Sequence, residues 1–143
     1  MSYETIPVPV VLILHGINND AGFGYVRRLM QSCTKQGWVA AGMNMRGCGI
    51  PLTTPRVYNG AYTGDLRSVV HILSRRVSQM CIVGNSLSAN LVAKYLGEEG
   101  RNHSLPLSVK AGFTLGNPMA FDSRNTHAIA SPIIAQGIKI EIL

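Results

Sequence analysis

The sequence predicts an α/β fold in which a parallel β-sheet carries helices on both faces. Three observations support this. Short apolar runs alternate three times with stretches of helical periodicity. The first run, Val10-Val-Leu-Ile-Leu14, is apolar throughout, as a strand buried on both sides must be. No internal repeat, low-complexity tract or linker interrupts the alternation.

A turn-rich loop, His15 to Gly22, follows the first strand. Tyr25, Leu29, Met30 and Cys33 then recur at near-helical spacing, in a helix closed by Gly37. Trp38 to Met43 reads as a second strand, which runs into Asn44-Met-Arg-Gly-Cys-Gly49. Prolines and glycines make the stretch from Ile50 to Gly60 an irregular loop. Thr63 is the expected N-cap of the next helix, with Asp65 suited to its first turn. Leu66, Val69, Val70, Leu73 and Val77 form the apolar stripe of that helix. Met80 to Val83 is a third strand, Leu87 to Leu96 a helix ended at Gly97, and Ser108 to Leu115 a fourth strand. Ile129 to Leu143 is compatible with either helix or strand.

Length and composition narrow the function classes. The 143 residues fit one domain, 1–143, large enough to bury a core. With 46% hydrophobic and 14% charged residues, neither disorder nor a coiled coil is expected. The longest apolar stretch is too short to span a bilayer, and the first residues carry no signal-type run, so the chain as given is expected to be soluble and cytoplasmic. The net charge is +6, but the basic residues are scattered and pair only at Arg27-Arg28 and Arg75-Arg76. That distribution argues against a nucleic-acid partner. Cys33, Cys48 and Cys81 cannot all pair and match no zinc spacing; Cys81 reads as a buried thiol. His15, His71, His103 and His127 do not pair with acids at metal-ligand spacings, and no glycine-rich nucleotide loop is complete. Neither a metal nor a cofactor is expected.

Chemistry concentrates where the third strand meets a helix through Gly84-Asn85-Ser86-Leu87-Ser88. Small residues on either side of a serine, on a strand-to-helix turn, are the setting of a nucleophile elbow. Ser86 would present its hydroxyl above the sheet edge, and the Leu87 N–H would face the same space. The pentapeptide alone is equally compatible with a helix-capping serine. At the end of the first strand, His15-Gly16-Ile17 can supply a second N–H, from Ile17, to hold a developing oxyanion. His15 itself precedes the serine in chain order, whereas the base of this kind of site follows it.

Taken together, these segments resemble one family. Pro9-Val-Val-Leu-Ile-Leu-His-Gly-Ile17, Asn44-Met-Arg-Gly-Cys-Gly49, Thr54-Pro-Arg-Val-Tyr58, Thr63-Gly-Asp-Leu-Arg67 and the run from Gly84 to Gly100 are similar to the YheT-like, embryogenesis-associated branch of the α/β-hydrolases, to which animal lipases are related. The resemblance spans roughly Pro7 to Asp122. It implies a partial α/β-hydrolase fold, truncated at both ends, and serine-hydrolase chemistry on carboxylic esters such as acylglycerols. Ser86 would be the nucleophile, with the Ile17 and Leu87 N–H groups as oxyanion donors. Small-molecule or lipid esters are the expected substrates; peripheral membrane contact and oligomeric state stay open. Ser88 stands where relatives usually carry glycine. The family's catalytic acid and histidine fall on later strands, past Leu143. Asp122 and His127 are weak substitutes, because five residues leave no room for the separate loops that normally deliver acid and base. The competing expectation is a non-catalytic interaction module, or degenerate fragment, with an exposed sheet edge.

Overall fold

A strand that is apolar at every position needs cover on both faces and partners on both edges, and Val10–Leu14 has them. The computed structural model describes residues 5–118. Its elements run β1 (Val10–Leu14), α1 (Gly24–Lys35), β2 (Val39–Met43), α2 (Gly64–Ser74), β3 (Met80–Asn85), α3 (Leu87–Arg101) and β4 (Val109–Leu115). The strands form one sheet in the order β2-β1-β3-β4, with every neighbouring pair parallel. Register aligns the strand ends: Leu14 lies beside Met43 and Gly84, and Asn85 beside Leu115. One edge of the sheet therefore collects the loops that follow β1, β2, β3 and β4.

Alternation along the strands sorts the core into two layers. Val10, Leu12, Leu14, Met80 and Ile82 pack with Leu66 and Val70 of α2 and Val92 and Tyr95 of α3. Val11, Ile13 and Val83 face the other way, toward Val26 and Cys33 of α1. Each fully buried side chain of this kind stabilises the fold by about 1.5–3 kcal/mol. At the end of α1, Gly37 takes a left-handed φ of 77°. There its N–H bonds the Thr34 carbonyl and the Trp38 N–H bonds the Cys33 carbonyl, which closes the helix as its sequence predicts. Among the described residues, no helix is long and apolar enough to cross a membrane.

Several boundaries differ from the expectation, each for a non-local reason. Helix α2 ends at Ser74, before Val77, which pairs in a parallel bridge with Ile6 while remaining in the core. Thr63 occupies the N-cap position without capping: its backbone is already helical, and its hydroxyl donates to Glu98 Oε2 at 2.5 Å instead. Strand β3 continues two residues past Val83, because Gly84 and Asn85 pair with Thr114 and Leu115 of β4. Helix α3 passes through Gly97 to Arg101. A glycine within a helix costs about 1 kcal/mol relative to alanine, but the residues that follow it are tied down. Arg67 bonds Glu98 Oε2 at 2.9 Å and Glu99 Oε1 at 2.6 Å, Ser104 bonds Glu99, and Lys94 pairs with Glu98 one turn on. The segment 129–143 lies outside the described residues.

Bonds from Lys94 and then Thr63 hold the Glu98 carboxyl down at about 2, from an ordinary value of 4.5. A carboxylate depressed in the folded state adds stability above its unfolded pKa, and that stability is lost as pH falls through the folded value. Glu98→Gln is therefore expected to melt below the wild type at neutral pH. Thermal melts repeated toward pH 2 should show that difference closing.

Candidate active site

The turn from β3 into α3 is shaped by an absent side chain. A β-carbon placed on Gly84 would lie 2.3 Å from the Ser88 carbonyl oxygen and 2.8 Å from Ala89 Cα, so the first turn of α3 packs directly on the strand backbone. Such closeness forces a sharp reversal at the residue between them. Ser86 has φ 54° and ψ −118°, a conformation that costs a non-glycine residue about 1–3 kcal/mol. Neighbouring bonds impose it. The Ser86 N–H donates to the Leu115 carbonyl at 2.8 Å, the Ser86 carbonyl accepts from Ala89 at 2.9 Å, and Asn85 Nδ2 donates to the Leu14 carbonyl at 2.9 Å. The Ser86 side chain lies exposed above the sheet edge, and Leu87 begins α3, where an N–H has no preceding helical carbonyl to meet.

The loop after β1 lies against this turn. A β-carbon on Gly16 would be 3.3 Å from Ser86 Cβ. His15 is buried at 1% exposure and fully engaged: its Nδ1 donates to the Gly16 carbonyl at 2.7 Å, and its Nε2 accepts from the Met45 N–H at 3.1 Å. That pattern fixes one neutral tautomer and leaves neither ring nitrogen for a serine proton. Ser88, in the place of the usual glycine, is buried, and its hydroxyl donates to the His15 carbonyl at 2.5 Å. Among the described residues, no acceptor meets the Ile17 N–H, and Asn19 Nδ2 donates to the Ile17 carbonyl at 2.9 Å.

Ile17 and Leu87 both line a cavity of about 890 Å³. Its walls are largely apolar, with Ile50, Leu52 and Val57 from the loop between β2 and α2. Two contacts anchor that loop: Asn90 Nδ2 donates to the Gly60 carbonyl at 2.9 Å, and Arg46 forms a two-pronged pair with Asp65 at 2.6 Å on each oxygen. Asp65 thus lies in the first turn of α2, as expected, but its carboxylate holds the neighbouring loop. The cationic cavity residues, Arg46 and Lys94, are matched by Asp65 and Glu98. Burial pushes the Cys33 and Cys81 thiols up, which disfavours thiolate chemistry at either.

The structure therefore brings Ser86, Ile17 and Leu87 to one edge of the sheet. Asp122 and His127 lie outside the described residues. His71 and His103 sit at the far ends of α2 and α3, near the starts of the strands, because both helices run back against the sheet direction. Sequence reading missed the cavity wall. Ile50, Leu52 and Val57 have no helical or strand period, and their one signal is apolar character inside a loop of prolines and glycines. Among the described residues, no group of His, Cys, Asp or Glu is placed to hold a metal ion.

This geometry is that of an α/β-hydrolase, and similar proteins agree. The chain is 38% identical over 113 residues to embryogenesis-associated protein EMB8 of Picea glauca, covering 77% of this chain and 24% of that one. It is 35% identical over 119 residues to a monoacylglycerol lipase of Saccharomyces cerevisiae, covering 79% and 26%. Against human monoacylglycerol lipase ABHD2 it is 32% identical over 96 residues, covering 64% and 23%. No protein-family model matches. The fold resembles that of brefeldin A esterase, a bacterial homologue of human hormone sensitive lipase, with a TM-score of 0.59 at 15% identity over 85% of this chain and 36% of that one. The chain belongs to the α/β-hydrolase family, and it spans about a quarter of the length of the curated relatives it matches.

Gly84→Ala tests the packing that shapes the turn. The added methyl meets backbone rather than a movable side chain, so the variant should lose about 1–3 kcal/mol in denaturant unfolding. A wild-type midpoint would mean that the close approach is not a constraint.

Proposed function

We propose that this chain carries the nucleophile and the oxyanion donors of a serine hydrolase that acts on neutral carboxylic esters with an apolar chain. The observation that carries the proposal is the meeting of Ser86, Ile17 and Leu87 beside one apolar cavity. Ser86 Oγ attacks the ester carbonyl carbon while a base takes its proton. The carbonyl oxygen gains negative charge and is held by the Ile17 and Leu87 N–H groups. Collapse of this intermediate breaks the bond to the alcohol oxygen, which leaves protonated, and an acyl group remains on Ser86. Water then repeats the attack and releases the acid.

The base must lie within hydrogen-bond reach of Ser86. His15 is engaged elsewhere, and His71 and His103 stand at the opposite end of the strands, so no histidine among the described residues is placed to serve as that base. The apolar wall of Ile50, Leu52 and Val57 suits a hydrocarbon chain. The pairing of Arg46 with Asp65 and of Lys94 with Glu98 leaves little attraction for an anionic substrate. Monoacylglycerol and other lipid esters fit these features, and the names of the yeast and human relatives support that class.

Labelling with an alkyl fluorophosphonate, read by intact mass and peptide mapping, tests the proposal. The expected result is one adduct on Ser86 of the wild type and none on Ser86→Ala. A folded wild-type chain that takes no adduct at Ser86 would show that the serine is not activated.

A further inference from the structure

The loop that carries Ile17 is clamped from both faces of the sheet. The peptide unit joining His15 to Gly16 is bound at both ends. Its carbonyl accepts the Ser88 hydroxyl at 2.5 Å, and its N–H donates to the Tyr25 hydroxyl oxygen at 2.7 Å. Ser88 comes from α3 and Tyr25 from α1, whose apolar faces pack on opposite sides of the sheet. A planar peptide held at its carbonyl and at its N–H cannot rotate without losing both bonds. The next unit follows from it. The Gly16 carbonyl accepts from His15 Nδ1 at 2.7 Å. In a trans peptide the N–H points opposite to the carbonyl, so the Ile17 N–H is turned away from the imidazole.

We propose that the Tyr25 and Ser88 hydroxyls are positioning residues for ester hydrolysis, which lock the His15–Gly16 peptide so that the Ile17 N–H is set in advance to receive the oxyanion. This rests on the hydrolase reading above. Each hydroxyl is spent on that peptide: Ser88 is buried with its O–H on the His15 carbonyl, and the Tyr25 oxygen accepts the Gly16 N–H. Tyr25 also packs in the α1 layer and stacks edgewise on Phe23 with ring centres 5.7 Å apart. Tyr25→Phe keeps those contacts and removes only the oxygen. Ser88→Ala likewise keeps a small side chain against β3. Ser88 gives this chain a bond that a glycine there could not make.

Hydrolysis of p-nitrophenyl butyrate by wild type, Tyr25→Phe, Ser88→Ala, the double variant and Ser86→Ala tests the proposal, with thermal melts alongside. Removing an oxyanion donor outright costs about 10²–10³ in kcat, so a donor left in place but unlocked should cost about tenfold. KM should stay within about twofold, because the lost interaction is made in the transition state. The double variant should fall by less than the product of the single effects, since both hydroxyls hold one peptide. If Tyr25→Phe does not fold, the kcat and KM of Ser88→Ala decide. Unchanged kcat, a rise in KM alone, or multiplying single effects overturns the positioning role while the hydrolase reading stands. A wild type no faster than Ser86→Ala overturns the hydrolase reading, and this proposal with it.

Discussion

Ser86 holds a backbone conformation that an isolated chain would leave at once, and the sheet edge is organised around keeping it there. The contact that makes this possible is the seating of the Ser88 carbonyl and Ala89 on the bare backbone of Gly84. With α3 that close to β3, the chain has a single residue in which to turn. The cost, about 1–3 kcal/mol, is set against bonds from strands on both sides: Leu14 of β1 receives Asn85, and Leu115 of β4 receives the Ser86 N–H. Parallel registration supplies those partners, because it ends β1, β3 and β4 at one level. Sheet order and the turn are thus one problem with one solution.

The same edge joins the two hydrophobic layers. Helix α1 covers one face and helices α2 and α3 the other, yet α1 and α3 each send a hydroxyl to the same peptide of the β1 loop. His15 completes the arrangement by bonding the next carbonyl and the Met45 N–H at the end of β2. A buried polar network is stabilising only when its members are satisfied, and here His15, Ser88 and Tyr25 each meet a backbone partner. Farther back, Arg67, Glu98, Glu99 and Thr63 fasten α2 to α3. That pairing steadies the helices which carry Leu87, Asn90 and the end of the cavity loop.

The parts legible in the sequence were those set by local pattern. Val10–Leu14 announces a central parallel strand by being apolar throughout, and Gly84 to Ser88 announces a tight strand-to-helix turn by size alone. What escaped depends on partners distant in the chain. The helix past Gly97 looks broken until Arg67, more than thirty positions earlier, is seen to hold Glu98 and Glu99. Thr63 looks like a cap because its neighbours are those of a cap; Glu98 draws its hydroxyl away. Ser88 looks like a weakened motif residue, whereas it bonds the loop after β1. The cavity wall of Ile50, Leu52 and Val57 carries no period to read. Asp122 and His127 fall outside the described residues, so the acid and base stand where sequence reasoning left them.

We propose that Ser86, Ile17 and Leu87 form one oxyanion-stabilising site. A crystal structure of the chain after reaction with a phosphonate ester tests it most directly. The expected structure has phosphorus bonded to Ser86 Oγ and the phosphoryl oxygen about 2.7–3.1 Å from the backbone nitrogens of both Ile17 and Leu87. A phosphoryl oxygen turned to solvent, with neither N–H in reach, would contradict it.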